Sequence, residues 1–249
     1  MSHSMRQQDP EFVRGTFSAI AGRYDFANHL LSGGLDFFWR ARVARLVAAA
    51  RPGRVLDLAT GSGDLAIALQ KACPAAHVIG ADFCLPMLDE ARRKRVPFLV
   101  QADALALPFA DGSFDAVTVA FGLRNMASWE KALHEMARVL RPGGLLAILD
   151  FSLPPRGPLR EAYRLYLHHL LPRIAGWATG RADAYEYLGE SIEKFPRGPG
   201  MVALINACGF EARRPRPMCL GVVTLYAATR EAIFHLDSRQ AMREADKQV

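Results

Sequence analysis

Asp57-Leu-Ala-Thr-Gly61-Ser-Gly63-Asp64 stands where a short apolar run gives way to a helical pattern. Gly61 and Gly63 let the backbone turn sharply and approach a ligand closely. A ligand held there lies beyond the carboxyl ends of parallel strands. Dinucleotide-binding turns share this form, and Ala66 fills the third position of the GxGxxG/A pattern, so that reading stays permitted. Asp57 argues for something else: a carboxylate ahead of the glycines repels a pyrophosphate and suits a cation. S-adenosyl-L-methionine is such a ligand, with a sulfonium and an α-ammonium group. Asp82, 21 residues past Gly61, has close to the separation of about 20 expected of a ribose-binding acid. Its carboxylate can accept from both ribose hydroxyls. Asp103, at the end of the expected third strand, is placed to accept from an adenine amino group, with the Ala104 amide toward a ring nitrogen. One such Asp alone reads as a helix cap or turn residue. Three on consecutive strands, together with Gly61, Ser62 and Gly63, point to a bound nucleoside.

The elements that must carry these residues follow from periodicity. Residues 54–60, 77–82, 98–103, 114–121 and 145–151 read as strands buried on both faces, with helices at 65–72, 87–94 and 128–140 between them. Strands alternating with helices at this spacing make a doubly wound, mostly parallel α/β sheet. Residues 210–214 and 221–229 are joined too closely for a helical crossover, so they pair as an antiparallel hairpin and complete a seven-stranded sheet. Between them and the parallel part, residues 154–199 form helical patches over 162–171 and 185–192, read as a helical insertion. Residues 1–50 form an amino-terminal helical cap over a substrate, 51–230 the cofactor-binding domain, and 231–249 a polar tail.

Composition bounds the rest. The chain has 249 residues, 51% hydrophobic and 22% charged, an ordinary globular balance. Cys73, Cys84, Cys208 and Cys219 show no paired ligand spacing, so neither a zinc site nor a disulfide frame is expected. The start has no apolar stretch of a signal peptide, and no run reaches the roughly 20 residues that cross a bilayer. A cytoplasmic protein is expected. The net charge of +6 favours anionic surfaces, nucleic acid or membrane head groups. No aromatic-basic interleaving or base pocket supports nucleic acid.

Further motifs narrow the reading: Leu107-Pro-Phe109, Asp111-Gly-Ser-Phe-Asp115, Phe121-Gly-Leu-Arg-Asn125, Arg138-Val-Leu-Arg-Pro-Gly-Gly144, Tyr185-Glu-Tyr-Leu188, Ser191-Ile192 and Phe195-Pro196. With Tyr24-Asp25-Phe-Ala-Asn28 and Trp39-Arg40, the stretch from about 12 to 230 resembles the ubiquinone/menaquinone biosynthesis C-methyltransferase family. That resemblance implies methylation of a ring carbon of a prenylated quinol, most closely demethylmenaquinol, with S-adenosyl-L-methionine as donor and no metal. It implies Arg124 for phenolate stabilisation and Asn125 for orientation, since a guanidinium, with a pKa above about 12, is a poor base. Asp25, Tyr24, His29, His169 or a water on Arg124 are the candidate bases. Ala120 stands where some members carry serine and joins the cofactor-side set. The chain departs from the family at Leu35-Asp36-Phe37-Phe38, where a His-Arg pair is common; Phe37 and Phe38 are then expected to stack on a large flat ring. Peripheral contact with an anionic membrane and a homo-oligomer are both compatible with such an enzyme. A methoxy-benzoquinol methylase, a small-molecule methyltransferase of secondary metabolism and a non-catalytic cofactor-binding subunit are the rival readings.

Overall fold

The computed structural model describes residues 15, 29, 32–171, 173 and 182–232, with only the backbone for 182–186. In chain order the elements are α1 (Leu35–Ala49), β1 (Arg54–Leu58), α2 (Asp64–Ala72), β2 (His77–Asp82), α3 (Leu85–Arg93), β3 (Leu99–Gln101), β4 (Phe114–Ala120) and a 3-10 turn (Leu123–Asn125). Then come α4 (Trp129–Val139), β5 (Leu140–Phe151), α5 (Pro158–Leu165), a π-helical turn (Tyr166–Leu170), α6 (Ala182–Lys194), α7 (Pro199–Ala207), β6 (Phe210–Ala212), β7 (Arg216–Met218), a 3-10 turn (Cys219–Gly221) and β8 (Val223–Arg230).

The strands run β3-β2-β1-β4-β5-β8-β6, with β7 also on β8. β1 to β5 are parallel, and β8 lies antiparallel to β5. The expected hairpin is present, with a difference. β6 pairs with the far end of β8 and β7 with its near end, Met218 opposite Val223, so the two are one edge line interrupted at 213–215. The segment expected as a bare connection is itself strand, and the strand count is eight. Pro215 lacks an N–H and breaks the ladder between the two pieces.

Alternation along the strands divides the core in two. Leu56, Leu58, Val117, Val119, Leu146 and Ile148 meet Leu133, Met136 and Ala137 of α4 and Met201 and Ile205 of α7. Val55, Ala116, Ala147 and Leu149 meet Trp39, Val43 and Val47 of α1 and Leu65 and Leu69 of α2. Ser128 caps α4, its hydroxyl accepting from the Lys131 amide at 3.2 Å. In α1, Asp36, Trp39, Arg40, Val43 and Val47 face inward. The helical period therefore turns Phe37 and Phe38 outward. Phe37 stacks on His29 at 4.3 Å, and Arg42 lies 5.0 Å over Phe38. Both rings are exposed, and neither lines the cavity at the carboxyl ends of the strands.

The ends of β1 and β4 come very close. Ala59 and Phe121 both have left-handed backbones, φ 51 and 59, a strained state for non-glycine residues. A Cβ on Gly122 would stand 2.5 Å from the Cβ of Ala59. Gly122→Ala should therefore destabilise the fold by about 1–3 kcal/mol, the scale of overpacking, read as a lowered midpoint in thermal unfolding. An unchanged midpoint would show that the two turns separate freely.

Candidate active site

Beyond the carboxyl ends of β1, β2, β3 and β4 opens a cavity of about 450 Å³, within the roughly 300–1,000 Å³ of small-molecule sites. Among the residues expected from the sequence, it brings together Gly61, Asp82, Asp103, Ala104, Ala120 and Asn125. Phe83, Cys84, Met87, Leu105, Phe121 and Met126 supply an apolar wall that the sequence reading did not assign.

Gly61 is left-handed at φ 57, and a Cβ there would point into open space. The backbone turn, not crowding, thus requires glycine. Asp82 ends β2 and accepts from the amides of Gly61 at 2.8 Å and Cys84 at 2.9 Å. Each oxygen keeps lone pairs for further donors. Burial pushes its carboxyl above the usual range, against those amides. Asp103 is not on a strand, as expected, but two residues past the end of β3. It is exposed, and one oxygen accepts from the Leu105 amide at 2.9 Å.

Three of the motif's expected ligand residues, Asp57, Ser62 and Gly63, fall outside the lining. Asp57 lies one layer deeper, 1% exposed, accepting from Thr60 Oγ1 at 2.6 Å and Thr118 Oγ1 at 2.8 Å. Burial pushes it up to about 6, against those hydroxyls and the charge of Arg40. Its action on a ligand is through the field rather than by contact. Ser62 is buried and accepts from Lys94 Nζ at 3.2 Å. Gly63 is a packing glycine, since a Cβ would come 2.6 Å from Val96. Lys94 also pairs with Asp64 at 2.5 Å, tying the start of α2 to the end of α3.

Arg124 is also set back from the cavity. Its NH1 donates to Asp150 Oδ1 at 2.7 Å and to the Phe121 carbonyl at 2.5 Å. Its Nε is buried without a partner among the described residues. Asp150, at the end of β5, is 1% exposed; burial raises its carboxyl while Arg124 holds it down. The sequence reading missed Asp150, whose signal is an acid inside the apolar run Leu145–Phe151. Asn125 accepts from the Tyr187 hydroxyl at 3.1 Å through Oδ1. His29 bonds Asp36 at 2.8 Å, with Ser32 and Arg40 on the same carboxylate. His169 is exposed on the π-helical turn. Tyr24 and Asp25, and most of the expected cap, lie outside the described residues.

A nucleoside carrying positive charge fits this donor set. Asp57 and Asp82 are buried carboxylates with no ion-pair partner among the described residues, and the charge of Asp82 raises the cost of ionising Asp57. A pyrophosphate would add to that repulsion, whereas a sulfonium and an ammonium group relieve it. Doubly wound order, an antiparallel last strand and this cleft define the S-adenosyl-L-methionine-dependent methyltransferases. The chain belongs to the ubiE/COQ5 methyltransferase family, whose model matches residues 3–230. It is 50% identical over 220 residues to a demethylmenaquinone methyltransferase of Thermus thermophilus, covering 86% of this chain and 99% of the relative. It is 43% identical over 223 residues to a ubiquinone/menaquinone biosynthesis C-methyltransferase of Syntrophotalea carbinolica, covering 88% and 94%. The fold is similar to a chain of the Haloferax volcanii complex between the Trm112 methyltransferase activator and a methyltransferase, at TM-score 0.65 and 19% identity, covering 90% of this chain and 99% of that one. S-adenosyl-L-methionine is the methyl donor.

Asp82→Ala should weaken S-adenosyl-L-methionine binding by roughly 1.5–3 kcal/mol, the scale of hydrogen bonds to a charged group. Calorimetry giving unchanged affinity in a folded variant would remove Asp82 from the site. Asp57 gives a pH signature. Its ordinary value is 3.8 and its folded value about 6, so between these the folded chain binds more protons than the unfolded one. Stability then falls as pH rises through that window. Relative to wild type, Asp57→Asn should gain about 2–3 kcal/mol between pH 4 and pH 7.5. Parallel denaturation curves for both proteins across that range would refute it.

Proposed function

We propose that this enzyme methylates a ring carbon of a prenylated quinol, with demethylmenaquinol as the physiological substrate. The observation that carries the reading is the near-complete span of a relative bearing that activity in its name, at 50% identity. When bound, S-adenosyl-L-methionine supplies a methyl group on a good leaving group. The chain's own residues must then align an electron-rich ring carbon, exclude water and stabilise negative charge on the ring oxygen.

Asn125 lines the cavity beside Phe121 and is braced by Tyr187, which fits it to orient a quinol hydroxyl. Burial pushes the Tyr187 phenol above its ordinary value, so it works as a neutral hydrogen-bonding group and not as a base. Arg124, immobilised by Asp150, keeps one buried N–H without an acceptor. We assign that side of the guanidinium to the phenolate. The ring carbon would take the methyl group as the quinol hydroxyl gives up its proton; the ring proton would then leave as the oxygen regains one, restoring the aromatic quinol with a net loss of one proton. Of the candidate bases His29 is engaged with Asp36, which leaves Asp25, Tyr24, His169 or a water held by Arg124 to accept it. The same substrate partitions into bilayers, and the net charge of +6 supports peripheral contact with an anionic membrane. No helix among the described residues is long and apolar enough to cross one.

A prenylated naphthoquinol should outcompete a methoxy-benzoquinol when both are offered with labelled S-adenosyl-L-methionine; a clear preference for the benzoquinol would overturn the substrate. Arg124 and Asp150 give a second test. Either single Ala variant leaves a buried charge unpaired and should cost about 3–5 kcal/mol of stability. The Arg124→Ala/Asp150→Ala double variant should recover most of that stability and bind the methyl donor, yet remain at least about a hundredfold slower, within the range of one electrostatic stabiliser. Recovery of turnover along with stability would reduce Arg124 to a structural role.

A further inference from the structure

The exposed large apolar side chains are unevenly placed. Apart from Phe98, those among the described residues belong to segments that enter or leave the sheet at its carboxyl edge, where the cavity opens. Leu35 and Phe38 open α1, Leu220 stands before β8, and Leu159, Leu165 and Leu170 belong to the insertion after β5. Leu165 is 62% and Leu220 75% exposed. α5 shows how this arises. Its Arg164 reaches inward to Glu193 at 2.6 Å and Arg160 to the Pro154 carbonyl at 2.7 Å. No residue of the helix is buried, and Leu159 and Leu165 are left outside. The Leu220 turn adjoins it, because Gly221 packs against Pro154 and Pro155.

Positive charge gathers at the same place. Arg156, Arg160 and Arg197 make no ion pair with a carboxylate among the described residues. Burial, with the charges of Arg160 and Arg156, depresses the Arg197 guanidinium, and Glu193 offsets this only in part. The three arginines are thus like charges with no ion-paired carboxylate among the described residues, on the segments that carry the exposed leucines.

We propose that this rim is a bilayer-docking surface, in which Arg156, Arg160 and Arg197 take the phosphates of anionic lipids while Leu165 and Leu220 enter the acyl boundary. The occupant follows from pairing uncompensated guanidinium charge with apolar side chains, the combination that an anionic interface satisfies at one depth. The proposal rests on the prenylated-quinol reading for its purpose: docking by this edge sets the mouth of the cleft against the layer that holds such a substrate.

Sedimentation of the full chain with phosphatidylcholine vesicles, with and without phosphatidylglycerol, tests it. Binding should be at least about tenfold tighter to the anionic vesicles and should fall away at about 0.5 M salt. Arg156→Gln/Arg197→Gln should lose about fivefold per residue. Leu165→Ser/Leu220→Asn should lose about tenfold or more while keeping turnover on a short-chain, water-soluble demethylmenaquinol. Asn is chosen because Leu220 is left-handed at φ 59, a state that Asn tolerates. Phe98→Ser, on the opposite edge, should bind as wild type. No vesicle binding by wild type, equal binding by the rim variants, or an equal loss in Phe98→Ser would each overturn the surface. So would a dimer abolished by Leu165→Ser/Leu220→Asn without vesicle binding, which would assign the face to a second copy of the chain. Turnover on the soluble quinol is read separately. If it persists while docking fails, the substrate stands and the surface falls; if docking persists without turnover on any quinol, the surface stands and the substrate falls.

Discussion

The carboxylate of Asp57 is buried on the face of the sheet that packs on α1 and α2. Burying such a group is expensive unless its lone pairs are taken up. Two hydroxyls take them. Thr118 stands directly across the ladder, Asp57 opposite Thr118, so its bond fixes the register of β1 on β4. Thr60 lies in the turn that leads to Gly61, so its bond draws that turn back onto the strand. The left-handed Ala59 between them and the bare Gly122 beside it follow from the same tight closure. The position of the cavity floor is thus set by how one acid is satisfied. The remaining electrostatic cost is lowered by a cation above it, which links the stability of the apoprotein to its choice of ligand.

Arg124 and Asp150 solve a similar problem with opposite consequences. Here the buried acid has a formal partner, and the pair is close to neutral. Charge placed near Asp57 and Asp82 is read by the cofactor, whereas the Arg124 side of the cleft presents a fixed donor with its net field cancelled. The unpartnered acids and the neutral ion pair are therefore carried on different strands, β1 and β2 for the first and the ends of β4 and β5 for the second.

Much of this was legible from the residues. Strand positions emerged because the parallel strands are buried on both faces and read as unbroken apolar runs; β2 matches the expectation at both ends. Asp82 and Gly61 were found because a fixed turn geometry demands those types at that separation. What the sequence concealed depends on contacts distant in the chain. Gly63 and Ser62 are ligand positions by motif, and their contacts with Val96 and Lys94 could not be read from it. Asp150 is 26 residues from the arginine it anchors. Which way Phe37 and Phe38 face was equally hidden, since it depends on Asp36 and Trp39 being the inward pair of that turn. β7 escaped notice because a three-residue strand with a central proline has no periodicity to read.

The broken line of β6 and β7 has a bearing on life at high local concentration. A sheet border with regular unpaired amides is a template on which a second chain can grow. Here that border is two strands of three residues each, interrupted at 213–215 and missing the N–H groups of Pro215 and Pro217. At the opposite border β3 offers another three residues. Neither side gives a stranger enough consecutive partners to nucleate a shared sheet, so crowding many copies together need not lead to aggregates.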